Sequence, residues 1–292
     1  MSNPERFAVP GAVEPGRDSH GLPEIRLRHA SGAEARILEY GAQAVSWKDA
    51  AGRERFFMSR EARFEKGKPV RGGIPVVFPQ FCDNGPLPMH GFARIHDWAF
   101  VDAGITGAGG VFATFELRDS AATRAIWKHE FATRLQFVLD SGFAVEWTVA
   151  NTGAGPFSFH NALHTYFLIA DIRRTSVRGL GGAYSPRGGA RTAGPGGEIR
   201  FDCETDRVYE GAPDALSLLD EAANSRLLIA KQGMADVVVW NPWIDKARRM
   251  EDFGDDEFER MVCVETGNIG EAIELEPGRA WAGLTRYGIS DL

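Results

Sequence analysis

The chain has little cysteine, and its cysteines are poorly placed for cross-linking. Only three occur among 292 residues, at Cys82, Cys203 and Cys263, and no CxxC pair is present. Widely spaced thiols in odd number predict neither a disulfide framework nor a zinc cluster. We therefore expect a protein of a reducing compartment.

Long apolar runs are also missing. No segment approaches the roughly 18 uninterrupted apolar residues that a membrane-spanning helix requires. The N-terminal segment MSNPERFAVPGAVEPG has proline, glycine and scattered charge where a signal peptide has an apolar core. These patterns predict a cytoplasmic protein with no membrane partner.

Positive charge is in deficit, since 33 Lys and Arg oppose 40 Asp and Glu, for a net charge of −7. Binding to nucleic acid or to an anionic membrane depends on a summed positive field, so this balance argues against both partners. The negative net charge is still compatible with binding of a small anion by a few local arginines.

Helical periodicity is scarce, whereas glycine is abundant, at 34 residues. Residues 132–139 and 143–149 alternate apolar and polar positions, and Asp-Ser-Gly at 140–142 between them is typical of a hairpin turn. Short strands joined by frequent turns predict an all-β fold, a large antiparallel β-sandwich.

The same patterns predict the secondary structure of residues 215–231 and the domain organisation of the chain. Residues 215–231 have a composition that suits a helix, but two short apolar runs around Ala-Ala-Asn-Ser favour a hairpin. Residues 1–20 are expected to be a loose N-terminal arm and residues 21–292 a single domain, which we expect to be monomeric.

Residues 71–94, RGGIPVVFPQFCDNGPLPMHGFAR, are too rich in proline and glycine to be regular. Long ordered loops in compact domains tend to be functional. Arg71 and Arg94 stand at the two ends of this loop, and arginine suits phosphate or carboxylate. Pairing of both arginines with structural carboxylates is the equally plausible alternative.

His160 and His164 lie four residues apart in an aromatic segment. This spacing without an HExxH pattern is a weak metal signal, and a buried structural histidine is the commoner case. Glu265 ends a strongly apolar run, so it either faces water or needs a partner. Trp240 and Trp243, which flank a turn, suit core packing or sugar contact.

Six segments together resemble the hexose-6-phosphate mutarotases, or glucose-6-phosphate 1-epimerases, which are similar to the aldose 1-epimerases of the galactose mutarotase-like superfamily. In chain order they are RGGIPVVFP, HGFAR, ALHTYF, TDRVY, VVWNPW and MVCVETGNI. They extend over the chain from about residue 24 to the C-terminus. Each segment is weak alone, but six in the family's order are specific.

The resemblance implies a galactose mutarotase-type β-sandwich that interconverts the anomers of a hexose 6-phosphate, a small-molecule sugar phosphate, without a cofactor. It places His164 and Glu265 at catalytic positions and Arg71, Arg94 and Asp206 at substrate-binding positions. The residue before the HGFAR histidine is often a substrate-binding Gln in the family and is Met89 here, which cannot donate a hydrogen bond.

Opening the hemiacetal of a sugar requires a base for the C1 hydroxyl proton and an acid for the ring oxygen. We expect Glu265 to be the base and His164, as imidazolium, to be the acid, each favouring the charged form of the other. His90 and His160 are further candidates for orienting substrate hydroxyls or the catalytic pair.

Three other functions remain open. A mutarotase for free sugars would not need the two arginines. A non-catalytic carbohydrate-binding sandwich would use Trp240, Trp243 and Tyr166 as stacking platforms. A glycoside hydrolase would use two carboxylates, such as Asp206 and Glu265.

Overall fold

The computed structural model describes residues 4–186, 189–194 and 196–290 and confirms the all-β prediction. The strands are β1 (Val13–Arg17), β2 (Pro23–Arg28), β3 (Glu34–Leu38), β4 (Ala44–Lys48), β5 (Val76–Val77), β6 (Ala99–Ile105), β7 (Val111–Arg118), β8 (Phe131–Leu139), β9 (Phe143–Asn151), β10 (Phe157–Leu163), β11 (Tyr166–Leu168), β12 (Thr175–Arg178), β13 (Ala183–Pro186), β14 (Thr192–Ala193), β15 (Glu198–Arg200), β16 (Thr205–Tyr209), β17 (Ala215–Asp220), β18 (Ser225–Gln232), β19 (Asp236–Asn241), β20 (Met261–Leu275) and β21 (Ala280–Ser290). The short α-helices are α1 (Ala121–Ile126) and α2 (Trp243–Ala247), and the 3₁₀ turns are Pro4–Phe7, Ala93–Ile95, Ile172–Arg174 and Glu257–Arg260.

The described strands form three antiparallel sheets. One has four strands in the order β1-β2-β3-β4. A second follows the order β14-β13-β16-β19-β20-β10-β5, with β11 also paired to β20, and a third follows β15-β12-β17-β18-β21-β9-β8-β7-β6. Residues from all three sheets contribute to one large apolar core.

Both predicted hairpins are present. β8 and β9 pair from Phe131↔Asn151 to Leu139↔Phe143, and their side chains alternate between buried and more exposed positions. β17 and β18 pair from Ala215↔Ala230 to Asp220↔Ser225, so residues 215–231 form a hairpin and not a helix. Leu216 and Ile229 lie opposite each other and are both buried, which a single helix would not achieve.

The N-terminal segment differs from the loose arm expected for residues 1–20. Val13–Arg17 is strand β1, paired along its length with β2, and Val13 is fully buried. The sequence pattern does not reveal this strand, because Pro15 and Gly16 interrupt the apolar alternation. Pro15 lacks an N–H donor, and its place on an edge strand avoids the loss of a ladder hydrogen bond.

The sheet that contains β19 and β20 has an apolar surface on each side. Val237, Val239 and Val264 belong to the main core, whereas the alternate positions Val238 and Cys263 belong to a second, smaller cluster. Successive side chains of a strand point to opposite faces, so this second cluster lies on the face turned away from the sandwich core. Glu265 is two residues beyond Cys263 and shares its face.

The loop at residues 71–94 is irregular apart from β5 and the turn at Ala93–Ile95, as predicted. It is tied to the sheet through the backbone, since His164 donates to the carbonyl of Pro75 at 3.1 Å and Tyr166 donates to Gly73 at 2.8 Å. No helix in the described residues is long and apolar enough to cross a membrane.

Candidate active site

A cavity of about 490 Å³ opens on this second face. Its volume falls in the range of about 300–1,000 Å³ that is typical of small-molecule sites. The wall includes residues from the loop at 71–94 and from β16, β19 and β20. Of the sequence-predicted site residues, Arg71, Met89, His90, His164, Asp206, Trp240 and Glu265 line it.

His164 and Glu265 form the most buried polar pair of the cavity. His164 Nε2 lies 3.4 Å from Glu265 Oε1, and the two residues are 8 % and 2 % exposed. Glu265 Oε2 and His164 Nδ1 are also buried, and neither has a hydrogen-bond partner in the protein. Buried polar atoms normally find partners, so these atoms are positioned to meet a polar ligand.

The pKa values of this pair depart from the expectation that each residue favours the charged form of the other. Burial, followed by the charge of Asp206, raises the pKa of Glu265 well above its ordinary value. Burial, followed by His90 and the two arginines at the ends of the loop, lowers the pKa of His164. Desolvation is the largest cause for both residues, and it favours the neutral form of each.

Tyr166 and Arg71 support the imidazole. The rings of His164 and Tyr166 stack with centroids 4.8 Å apart and planes inclined by 8°. Tyr166 Oη accepts a hydrogen bond of 2.8 Å from Arg71 Nη1, and the Nε and Nη2 groups of Arg71 donate to the carboxylate of Asp252 at 3.1–3.2 Å. Burial alone would lower the pKa of Arg71, but Tyr166 and Asp252 outweigh it and raise that pKa.

Arg94 is held differently. Its Nη2 donates to the carbonyl of Met89 at 2.9 Å, whereas its buried Nε has no partner. No carboxylate in the described part of the chain pairs with it, and Arg94 does not itself line the cavity. Burial and the charge of Arg71 lower the pKa of Arg94, which stays protonated at neutral pH.

His90 approaches the pair from the loop. Its ring meets that of His164 edge to face, with centroids 5.5 Å apart. His90 and Cys82 both adopt positive φ angles, of 63° and 51°. Two hydrogen bonds connect them, since His90 N–H donates to the Cys82 carbonyl and Cys82 N–H donates to His90 Nδ1. Positive φ is rare outside glycine and clusters at functional sites.

Asp206 and Lys246 stand on another side of the cavity. Lys246 Nζ lies 3.7 Å from Asp206 Oδ2 and donates to Glu204 at 2.8 Å. It also sits over the ring of Trp240 at 5.7 Å from the centroid. Lys246 therefore adds a cation to the wall that the sequence analysis did not identify.

Two other predicted residues are placed outside the cavity lining. His160 is on β10, where its N–H donates to the Pro79 carbonyl and its buried Nδ1 has no partner in the protein. Trp243 packs on Phe258 and lies below Arg173, so it is a structural residue here. Met89 lines the cavity and is 50 % exposed.

Comparison with known proteins identifies the family. The sequence profile of the aldose 1-epimerases matches residues 23–288. The chain belongs to the aldose 1-epimerase family. A protein of Cenchrus ciliaris named "Putative glucose-6-phosphate 1-epimerase" is 37 % identical over 274 residues, which are 90 % of this chain and 83 % of that protein. A protein of the same name from Escherichia coli is 35 % identical over 238 residues, 79 % and 78 % of the two chains.

Solved structures share the fold of this chain. A "putative mutarotase" from Salmonella typhimurium superposes with a TM-score of 0.90 at 28 % identity, covering 98 % of this chain and 96 % of that one. A galactose mutarotase-like protein from Clostridium acetobutylicum gives a TM-score of 0.76 at 16 % identity, over 96 % and 98 % of the chains. The fold and family expected from the six sequence segments are thereby confirmed.

Proposed function

We propose that this aldose 1-epimerase family member interconverts the α and β anomers of D-glucose 6-phosphate and related hexose 6-phosphates. The observation that carries the proposal is the pair of His164 and Glu265, 3.4 Å apart on the wall of a cavity beside the loop that ends in Arg71 and Arg94. A neighbouring acid and base, each with an unpartnered buried atom, suit proton transfer to and from a sugar.

The chemistry needs one proton shared by the pair. Glu265, as carboxylate, takes the C1 hydroxyl proton while His164, as imidazolium, protonates the ring oxygen, and the C1–O5 bond breaks. Rotation about C1–C2 then exposes the other carbonyl face, and the reverse transfers close the ring. Burial favours the state with that proton on Glu265, and its transfer to His164 creates the reactive charges without changing the net charge.

The sugar itself favours this transfer. A sugar hydroxyl can donate to Glu265 Oε2, and a sugar oxygen can accept from the protonated Nδ1 of His164, two atoms that lack partners in the protein. Hydrogen bonds to a charged group favour its charged form, so substrate binding opposes the effect of burial on both pKa values. Each positioned acid or base typically contributes about 10²–10⁴-fold to the rate.

Arg94 supports the choice of a phosphorylated substrate. Its guanidinium has a buried Nε without a partner and forms no ion pair with a carboxylate of the described residues, so a phosphate would satisfy donors that the protein leaves unused. Phosphate binding remote from C1 would orient the ring at the reacting pair.

One observation favours the alternative substrate, a free aldose. Both nitrogens of one edge of the Arg71 guanidinium are occupied by Asp252, and a third nitrogen is used by Tyr166. In this arrangement Arg71 orients the ring stacked on His164, and a phosphate would have to compete with Asp252 for it.

Exchange NMR of the anomeric protons distinguishes these substrates. We expect the protein to accelerate exchange of glucose 6-phosphate much more than that of glucose. Arg94→Ala should raise KM for the phosphorylated sugar by about tenfold or more, as loss of a charge-assisted contact worth about 1.5–3 kcal/mol requires. It should change KM for glucose much less, because there Arg94 acts only through its charge near His164 and Glu265.

Asp252→Asn provides the matched comparison. It should lower kcat for both sugars to a similar degree, because it weakens the support of Tyr166 without touching Arg94. If Arg94→Ala reduced activity equally on glucose and on glucose 6-phosphate, the phosphorylated substrate would be rejected in favour of the free aldose.

A further inference from the structure

Cys263 brings a third ligand-type side chain to the catalytic pair. The ligand atoms of His164, Cys263 and Glu265 all lie within 4.8 Å of one another, and all three residues are buried. Cys263 and Glu265 are two apart on β20 and share a face, and Tyr166 on β11 pairs with Cys263, which brings His164 beside them. We propose that these three side chains bind one Zn²⁺ ion, or a similar thiophilic divalent cation, which switches the protein off.

The donor set matches the preferences of zinc. Imidazole nitrogen, thiolate sulfur and carboxylate oxygen are its usual protein ligands, at bond lengths of about 2.0–2.3 Å. In a tetrahedron with such bonds the donors are about 3.3–3.8 Å apart. The widest separation of 4.8 Å must therefore shrink by about 1 Å, which rotation of the Cys263 or Glu265 side chain supplies.

Three protein ligands leave a fourth position open. His164 and Glu265 line the cavity, so that position faces the space where a sugar would bind, and the ion can enter by the same route. Water would complete the coordination there.

Charge balance favours a dication in this buried place. A thiolate and a carboxylate together neutralise Zn²⁺, whereas either anion alone would be costly to bury. Burial raises the pKa values of both Cys263 and Glu265, so the metal must displace a proton from each. Mg²⁺ and Ca²⁺ prefer all-oxygen ligands and bind thiolate weakly, so the site should discriminate against them.

The metal and the sugar exclude each other, because both need the free atoms of His164 and Glu265. Inhibition of anomer exchange therefore rests on the proposed function of this pair, whereas metal binding does not. The two statements can be tested separately on the same protein.

Titration of the untagged, reduced protein with Co²⁺ tests binding directly, because thiolate coordination to Co²⁺ produces a charge-transfer absorption in the near ultraviolet. We expect this absorption to saturate at one Co²⁺ per chain and to disappear on addition of Zn²⁺. Cys263→Ala should abolish it and weaken Zn²⁺ binding by at least about 100-fold. Cys203→Ala, which removes an exposed thiol, is the matched control and should keep it.

Activity gives the second readout. Zn²⁺ should inhibit the wild type competitively with glucose 6-phosphate and leave the exchange rate of Cys263→Ala insensitive to the metal. Absence of the thiolate absorption in the wild type, or its persistence in Cys263→Ala and in Cys263→Ser, would overturn the site. Metal binding in a protein that shows no anomer exchange would support the site and refute the proposed function.

Discussion

Glu265 is a buried residue whose surroundings favour the protonated form of its carboxyl group. Its pKa is raised mainly by burial, with a contribution from Asp206. Between the ordinary Glu pKa of 4.5 and the raised one, the folded protein holds a proton that the unfolded chain has lost. The free energy of unfolding consequently falls as the pH rises through this interval.

Glu265→Gln should separate stability from activity. The neutral amide removes the desolvation cost, so we expect the free energy of unfolding at neutral pH to rise by about 1 kcal/mol or more. Anomer exchange should fall by about 10²–10⁴-fold. Thermal melting across the pH range and exchange NMR measure the two effects. Glu271→Gln, an exposed position on the same strand, is the control, and a destabilised or fully active Glu265→Gln would contradict the assignment.

The pH dependence of kcat/KM should be bell-shaped. Between the lowered pKa of His164 and the raised pKa of Glu265 the pair holds one proton, which is the state that ring opening requires. Below this interval the pair gains a second proton, and above it the pair has none. The acid limb should therefore lie below pH 6.5, and the alkaline limb above pH 4.5, as properties of the coupled pair.

Polarimetric rates measure this profile. The phosphate of the substrate itself titrates near pH 6, so glucose at high concentration is the control substrate. An acid limb above pH 6.5, or a profile with a single limb, would show that burial does not lower the pKa of His164 and raise that of Glu265.

At the scale of elements, the loop at residues 71–94 is fixed by close backbone packing. Gly91 has a φ of 69°, and a Cβ atom there would lie 2.1 Å from the carbonyl oxygen of Phe78. Gly91 N–H also closes a turn onto the Pro88 carbonyl at 2.7 Å. The glycine thus sets the path of the chain directly after His90.

Gly91→Ala should damage both stability and activity. The strained φ alone costs about 1–3 kcal/mol, and the contact with Phe78 forces the loop to shift. Urea unfolding measures the first effect and anomer exchange the second. Gly155→Ala, where a Cβ would meet nothing within 4 Å, is the control. An unchanged midpoint of unfolding in Gly91→Ala would mean that the loop is not packed as described.

The sequence predicted the elements whose pattern is local. Alternation identified β8 and β9 because each of these strands buries one face, and two short apolar runs around a turn identified the hairpin of β17 and β18. It missed α1, where Ser120 and Thr123 form a capping box, because six residues are too few to show helical periodicity.

The sequence also missed the contacts that tertiary folding creates. Asp252 is 181 residues from Arg71, and no local pattern links them. No sequence pattern singles out Lys246, which α2 places beside Asp206. The family motifs predicted several residues that line the cavity, such as His164 and Glu265, but they gave no indication that burial would lower the pKa of His164 and raise that of Glu265.

At the scale of the whole molecule, the two faces of the sheet that contains β19 and β20 have different roles. The face toward the sandwich carries apolar residues such as Val237 and Val264 in the main core. The opposite face carries the second cluster and the cavity with its buried, poorly satisfied polar atoms. A large core on one side can therefore offset the cost of a desolvated site on the other.

The net charge of −7 gives a further prediction about substrate capture. The protein as a whole repels a dianionic sugar phosphate, whereas Arg94 attracts it locally from a partly buried position. Salt screens exposed charges over about 8 Å at physiological ionic strength and screens buried ones less. Added NaCl should consequently weaken the repulsion more than the attraction, and KM for glucose 6-phosphate should fall by about twofold between low and physiological salt. KM for glucose is the uncharged control and should not change, whereas a KM for the phosphorylated sugar that rises steeply with salt would mean that exposed cations, and not a buried arginine, bind the phosphate.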